Sequence, residues 1–418
     1  RSHFAGSAYA RDTFGRIADL PLPPAPGQLM VGAAAVEITP PIGEPLAGFG
    51  SRRPNRSRAA KDKLFARAIS LSTGGEVVTI LGGDLLLFLP KLRDAVLGEA
   101  HLSRAQVYFT ATHTHCGPGG FAPRWIDELV GMGNFSQEIL ERLSSQFAEA
   151  ILASRAALEP ASFASGSVAV SGVVENRILD VLVEDAPLMA TTFTSVDGRH
   201  LASWVTFDAH PVTLGRRDME AGGSYPATLV AAIEEDLGGM VLFAAGAVGS
   251  MTVSGHAEAR GPGRRDWIVG ELLAPARDLL TRLGMQANST DAVVLRSDLV
   301  SVDLPPVQFR LGKHLKVSPI TSAYLHSRSS SIHRLQLGAT VLLGMPADYS
   351  AELAASLRQV VQGTERTVFV TSFNGDYIGY LLPEARYDSG HYEATSMNFF
   401  GPWCGVYFTE LSRALLAR

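Results

Sequence analysis

The chain has 418 residues, of which 46% are hydrophobic and 18% charged, with a formal net charge of -5. That length and apolar content exclude a disordered chain. The mild acidity excludes the continuous basic face of a nucleic-acid binder, because the arginine clusters (Arg52, Arg53, Arg56, Arg58; Arg264, Arg265) are short and interspersed with polar residues. No apolar run approaches the roughly 18 residues a membrane span needs, and Cys116 and Cys404 lie too far apart for a zinc ribbon.

Residues 1–30 carry Pro21, Pro23, Pro24 and Pro26 and no sustained period, so an N-terminal arm is expected there, with regular structure starting after it. Arg1 at the start leads us to expect an upstream segment of unspecified kind. Residues 29–43 alternate like a strand that stops at Pro40-Pro41, and 48–58 form a glycine- and arginine-rich loop whose arginines are expected to be solvated, the alternative being contact with an anionic ligand or headgroup. Residues 64–72 and 77–88 read as paired or adjacent strands around a Gly-Gly turn, with Asp84 either a satisfied polar group at a strand break or an acid that supports a site ligand. A helix follows over 90–103.

In 105–112, Val107, Phe109 and Ala111 alternate with Tyr108, Thr110 and Thr112 as in a buried strand, and Gly117-Pro118-Gly119-Gly120 then forces a loop. His113 and His115 sit at that strand end. If the pleat runs on through Thr114, their two-residue spacing puts both imidazoles on one face. The plain alternative is a pair of polar histidines at a loop entrance, since a metal site needs further ligands from elsewhere. Over 136–158 a long amphipathic helix is predicted, its stripe being Ile139, Leu140, Leu143, Phe147, Ile151 and Leu152.

Residues 161–180 alternate again and lead to Asn176-Arg177. The segments 188–195 and 201–210 form a hairpin around Asp197-Gly198, and the second strand ends at His210-Pro211. A helix over 225–237 has Pro226 in its first turn, and 240–251 is a buried strand emptying into a small-residue loop. The section 288–345 is strand-rich, 341–348 ends on Asp348, 350–363 is helical, and 367–380 is a strand and loop crowded with polar and aromatic groups. Alternating strands and helices, with no repeat and no linker that divides the chain cleanly, imply α/β layers, in one large domain or two interlocked lobes.

Strand and loop ends therefore present His113, His210 and Asp348, with Tyr380 and Tyr392 in the polar loops beyond. Three His/Asp/Glu ligands and an open position are the inventory of a catalytic zinc site. Each residue also has an ordinary reading: His210 closing a turn, Asp348 capping the helix near Tyr349, the tyrosines packing their rings. Spacing alone does not show that they converge.

THTHCGPGG (112–120) resembles the THTHSGPGG segment of neutral (non-lysosomal) ceramidases, with Cys116 at the serine position as a serine-sized filler. In the same order follow likenesses in VGAAAVEITPPIGEPLAGFG (31–50), Asn176-Arg177 for the family's NRSP, FDAHPVTLG (207–215) and SYPATLVAAIEEDLGG (224–239). MPADYS (345–350) is similar to PGEFT, NGDYIGY (374–380) to NxYxxY with one residue added, and HYEATSMNFFGP (391–402) to YEGAST(I/L)YGP. The resemblance covers roughly residues 30 to 410 and implies the ceramidase catalytic-domain fold, an α/β architecture of mixed β-sheets layered with α-helices in a single domain over 31–418. It further implies that Zn2+ is held by His113, His210, Asp348 and Tyr380. His115, Arg177 and Tyr392 become catalytic groups, and Gly117 and Gly119 join Tyr392 in binding substrate. The implied activity is metal-assisted hydrolysis of an N-acylated, lipid-like amide, ceramide being the archetype.

Three departures accompany the likeness. Asp348 replaces a glutamate, shorter by one methylene. VGSMTVS (248–254) replaces the family's GDVSPN loop, putting Ser250 at its aspartate and Thr252 at its serine, so a covalent nucleophile is not expected. With Arg418 as the last residue, the family's C-terminal immunoglobulin-like domain is not expected. A different amide or ester, its polar head read by the arginine-rich loop 52–58, is therefore the alternative substrate, and a metal-free binding protein of the same fold is the alternative function. No nucleic-acid partner is expected, contact with a membrane surface is compatible with the family, and the resemblance leans towards a secreted, periplasmic or cell-envelope protein.

Overall fold

The alternating segments pair into one eight-stranded sheet in the order Met240–Ala245, His200–Phe207, Ala186–Ser195, Glu159–Val170, Met30–Glu37, Phe65–Ser72, Val78–Gly83 and Val107–Phe109. The computed structural model describes residues 4–52, 56–254, 262–287, 291–308, 310–311, 315–316 and 328–418. Arg53 of the predicted arginine loop lies outside the described residues, as do 288–290, 309, 312–314 and 317–327 of the predicted strand-rich section. Pairing in this sheet is antiparallel except at its two ends, where His200–Phe207 runs parallel to Met240–Ala245 and Val78–Gly83 parallel to Val107–Phe109.

The sheet curls until those two ends meet. The Ala245 N–H donates to the Ala111 carbonyl at 2.9 Å. Leu242 packs over Gly82 so closely that a Cβ there would lie 2.9 Å from Leu242 Cγ, which is why glycine is needed. The loops leaving Phe109 and Phe207, from opposite regions of the sheet, are thereby brought side by side. A second sheet of four strands, Leu295–Asp303, Ser329–Leu337, Thr340–Gly344 and Thr367–Thr371, closes onto the same junction. From its last strand the Ser372 N–H donates to the Ala245 carbonyl (3.0 Å) and the Asn374 side chain to the Phe109 carbonyl (2.8 Å). Mixed sheets layered with helices are the architecture expected from the sequence.

The Gln137–Ala156 helix buries the predicted stripe of Ile139, Leu140, Leu143, Phe147 and Ile151, but Leu152 falls off its edge and is half exposed. Besides Cys404–Leu416, two further long helices escaped the pattern reading. Pro262–Gln286 keeps a stripe of Ile268, Leu272, Ala276, Leu279 and Leu283 despite Pro275 and three glycines, whose poor helix propensity disguises it. The other corrects the expectation of an unstructured arm: Ser7 caps a helix over Ala8–Ala18 that buries Ala10, Thr13 and Ile17. Phe4 and Tyr9 pack their rings 5.2 and 5.4 Å from that of Tyr407, on the Cys404–Leu416 helix.

Candidate active site

The strand before the histidines stops at Phe109, earlier than the pleat argument requires. His113 adopts φ +62°, a left-handed conformation uncommon outside glycine, asparagine and aspartate. The two imidazoles are therefore brought together by a turn and not by strand alternation. The His113 ring is stacked on Phe373 (centroids 4.0 Å apart, planes at 9°), and its Nδ1 lies 2.7 Å from the Leu86 carbonyl. His115 Nδ1 is 3.0 Å from the Gly48 carbonyl. Gly48 sits at φ +122°, and a Cβ on it would lie 2.6 Å from His115 Cα, so only glycine allows this approach.

Each of these Nδ1 atoms faces a carbonyl, which only an N–H can satisfy. The tautomer is thus set, and the Nε2 of both rings carries a lone pair. These lone pairs converge with His210: Nε2–Nε2 separations are 3.0 Å (His113–His210), 3.2 Å (His115–His210) and 3.4 Å (His113–His115). A proton on His210 Nε2 serves one neighbour and leaves the other facing it unsatisfied. His210 Nδ1 and Asp348 Oδ1 are moreover buried without a hydrogen-bond partner. Burial holds His113 and His210 well below the usual imidazole range and His115 at about 4, so all three rings are neutral at pH 7. Neutral nitrogens at this spacing match what a tetrahedral ion with Zn–N bonds of about 2.0–2.1 Å requires, and His113, His115 and His210 form a group able to hold a metal.

Asp348 is delivered by a two-residue parallel pairing, Asp348 with Tyr380 and Tyr349 with Leu381. It does not cap the following helix, because Ser350 does so by accepting from the Glu352 N–H. Its Oδ1 lies 3.8 Å from His113 Nε2 and 3.9 Å from His210 Nδ1. Its Oδ2 accepts from the Tyr377 hydroxyl at 2.7 Å. Burial pushes the Asp348 carboxyl up to about 7, with the Tyr377 hydrogen bond opposing that rise. Tyr377 was not singled out from the sequence, although it is the first tyrosine of DYIGY.

Arg177, Tyr380 and Tyr392 form a second group beside this one. Arg177 Nε is 2.8 Å from Glu393, another residue missed from the sequence, and its Nη2 donates to the Gly249 carbonyl and the Tyr380 hydroxyl, both at 3.1 Å. The Tyr380 and Tyr392 hydroxyls are 3.1 Å apart. Tyr392 is half exposed, whereas Tyr380 is buried, so the group runs from the interior to the surface. The Asn176 side chain accepts from the Ile178 and Leu179 amides, and this turn directs Arg177 inward. Ser250 is buried, 3.2 Å from the Ser350 hydroxyl and accepting from the Ala351 N–H, while Thr252 pairs with Glu175 and bridges His210 through its backbone.

For Gly117 and Gly119 the structure supplies a packing reason: a Cβ would lie 2.8 Å from the Asp84 carbonyl oxygen in the first case and 2.7 Å from that of Met132 in the second. Arg52, expected in a solvated loop, is instead buried. Its guanidinium donates to the carbonyls of Ala47 (3.0 Å), Gly215 (3.1 Å) and His115, and lies 3.0 Å from Cys116 Sγ. Asp84 is the satisfied strand-break residue expected, accepting from the Phe65 N–H at 2.9 Å.

A curled mixed sheet with a histidine cluster where its ends meet defines an α/β protein with a candidate metal centre at its sheet junction. Neutral ceramidase from Pseudomonas aeruginosa superposes with a TM-score of 0.78 at 17% identity, over 94% of this chain and 75% of that one. A ceramidase complexed with C2 gives 0.77 at the same identity and coverage. The chain has the neutral-ceramidase fold, as the motif resemblance implies. No protein-family model and no curated protein matches the sequence.

Proposed function

We propose that this chain is a zinc-dependent amidohydrolase that cleaves the amide bond of an N-acylated, lipid-like substrate, ceramide or a related molecule. The observation that carries this reading is the convergence of imidazole lone pairs with a buried, unpartnered carboxylate oxygen in a ceramidase fold. His113, His210 and Asp348, the most buried donors, would hold the ion, with Tyr380 as the fourth. The chemistry such an ion supplies is Lewis acidity, which activates water and polarises a carbonyl.

The remaining steps belong to the chain's own groups. His115, less buried than His113 and His210, has its Nδ1–H fixed on Gly48 and offers a basic Nε2 that can accept a proton and later return it to the leaving amine. Arg177, oriented by Glu393, and the Tyr392 hydroxyl supply donors for charge developing on the carbonyl oxygen. Leu179, Val181 and Leu182, just beyond Arg177, are exposed and offer an apolar rim suited to an acyl chain.

The test is elemental analysis of the purified protein followed by hydrolysis of a short-chain fluorescent ceramide before and after chelation. About one zinc per chain, with cleavage lost on chelation and restored by zinc, is the expected result. Zinc without cleavage would discard ceramide and direct attention to other amides and esters. Failure to bind metal even when zinc is supplied would overturn the reading in favour of a metal-free binding protein.

A further inference from the structure

A cavity of about 320 Å3 is lined by Ser51, Arg58, Arg216, Arg217 and Met219. All three arginines are exposed, and among the described residues none has a hydrogen bond or ion pair through its side chain. No carboxylate is among the residues lining this cavity, and of those close by Asp218 accepts from the Gly215 N–H at 2.6 Å and Asp62 pairs with Arg265 at 3.2 Å. The adjoining cavity contains Glu128 beside Arg52 and Arg56 and so has a smaller imbalance. In a chain of net charge -5, three guanidinium groups around one concavity make a local positive focus, which an oxyanion relieves and which arginine's planar fork is shaped to grip.

The cavity is coupled to the candidate active site. Its two arginine segments are held together by the Arg58 N–H to Met219 carbonyl bond (2.7 Å) and the parallel pairing of Ala59 with Glu220. Arg216 and Arg217 lie on the loop that leaves His210. The buried Arg52 joins that loop to the catalytic one, donating to the Gly215 carbonyl at 3.1 Å and also to the His115 carbonyl. Resting on the amidohydrolase reading above, we propose that Arg58, Arg216 and Arg217 bind an anionic group, a phosphate, sulfonate or carboxylate, carried on the head-group side of the substrate, making this chain selective for anionic N-acyl amides.

The test uses the zinc-loaded chain and its Arg58→Gln/Arg216→Gln/Arg217→Gln variant, with N-octanoyltaurine and N-octanoylethanolamine as an anionic and neutral pair and inorganic phosphate as the free anion. Affinities are read by calorimetry and hydrolysis by amine release, and a thermal unfolding midpoint close to that of the parent shows that the variant is folded. We expect the anionic amide to bind roughly tenfold or more tightly than the neutral one, the gap to narrow with salt, and the variant to abolish it. Equal affinities, or a gap that persists in the variant, would overturn the proposal. So would saturation by phosphate through the same arginines with no discrimination between the amides, which would make this a free-anion site. If neither amide is hydrolysed, the amidohydrolase reading fails while the affinity comparison still decides the anion site.

Discussion

Tyr377→Phe isolates the support given to Asp348. The phenol donates to Asp348 Oδ2 at 2.7 Å inside a site where that carboxylate is 1% exposed, so deletion leaves a buried, charged acceptor short of a partner. Hydrogen bonds to charged groups are worth about 1.5–3 kcal/mol. Losing a hydrogen bond that orients a metal ligand weakens metal binding about 10–100-fold, or about 1.4–2.8 kcal/mol, so the two estimates agree. The assay is competition for zinc against a chromophoric chelator, with Tyr108→Phe as control. Tyr108 is also buried and loses a 2.7 Å bond, to Thr371, but it belongs to the sheet strand before the histidine loop. Tyr377→Phe should raise the zinc dissociation constant at least tenfold and Tyr108→Phe should not. A change of less than about threefold for Tyr377→Phe in a folded variant would refute the assignment of Asp348 as a ligand, because the loss of such a partner cannot be silent.

His113→Ala and His210→Ala should each abolish both zinc retention and ceramide hydrolysis; full activity in either would sink the proposed centre. His115→Ala should retain zinc while hydrolysis falls by about 10²–10⁴, as for loss of a general base, and loss of zinc instead would move His115 into the ligand set. Gly48→Ala, with its Cβ 2.6 Å from His115 Cα at φ +122°, should cost about 1–3 kcal/mol in urea unfolding, and an unchanged midpoint would contradict the close approach. Burial raises Asp84 from 3.8 to about 6, so the native state holds its proton more tightly than the unfolded chain and stability falls as pH rises from about 4 through 6. Asp84→Asn should remove that slope and leave the variant more stable at pH 7.5 by up to about 3 kcal/mol; parallel stability profiles at pH 4.5 and 7.5 would contradict this.

The elements that periodicity resolves are those whose neighbours are local. The Phe65–Ser72 and Val78–Gly83 pair, the hairpin around Asp197-Gly198 and the Gln137–Ala156 stripe each announce themselves within some twenty residues. The convergence of His113 with His210 does not, because it depends on the curl that joins Ala245 to Ala111, a contact between segments that no short window contains. Nor does any pattern signal a left-handed His113, which is imposed by the Leu86 carbonyl and the Phe373 ring. Arg52 misled for a related reason: a loop arginine among arginines reads as solvated, and only the closure of three backbone carbonyls around it makes burial affordable.

For the metal centre proposed above, a proton is a poor substitute for the ion. One proton shared between His210 and a neighbour leaves a third imidazole and Asp348 Oδ1 unsatisfied, and a second would place positive charge beside Arg177 in a buried setting that already depresses imidazole basicity. Each unsatisfied buried group costs about 1–3 kcal/mol, so a chain that used this fold only to bind an apolar ligand would be more stable with apolar side chains at these positions. The donors retained here, at the junction where both ends of the sheet and the second sheet meet, break local consistency in the way functional sites do. On the reading proposed above, a doubly charged cation takes the His113 and His210 lone pairs and the carboxylate together and leaves that of His115 free to accept a proton. On the same reading Arg177 and Tyr392, beside the ligand Tyr380, have a use that structural polar groups lack, since their donors lie between the cluster and the surface, where a carbonyl oxygen would gain charge.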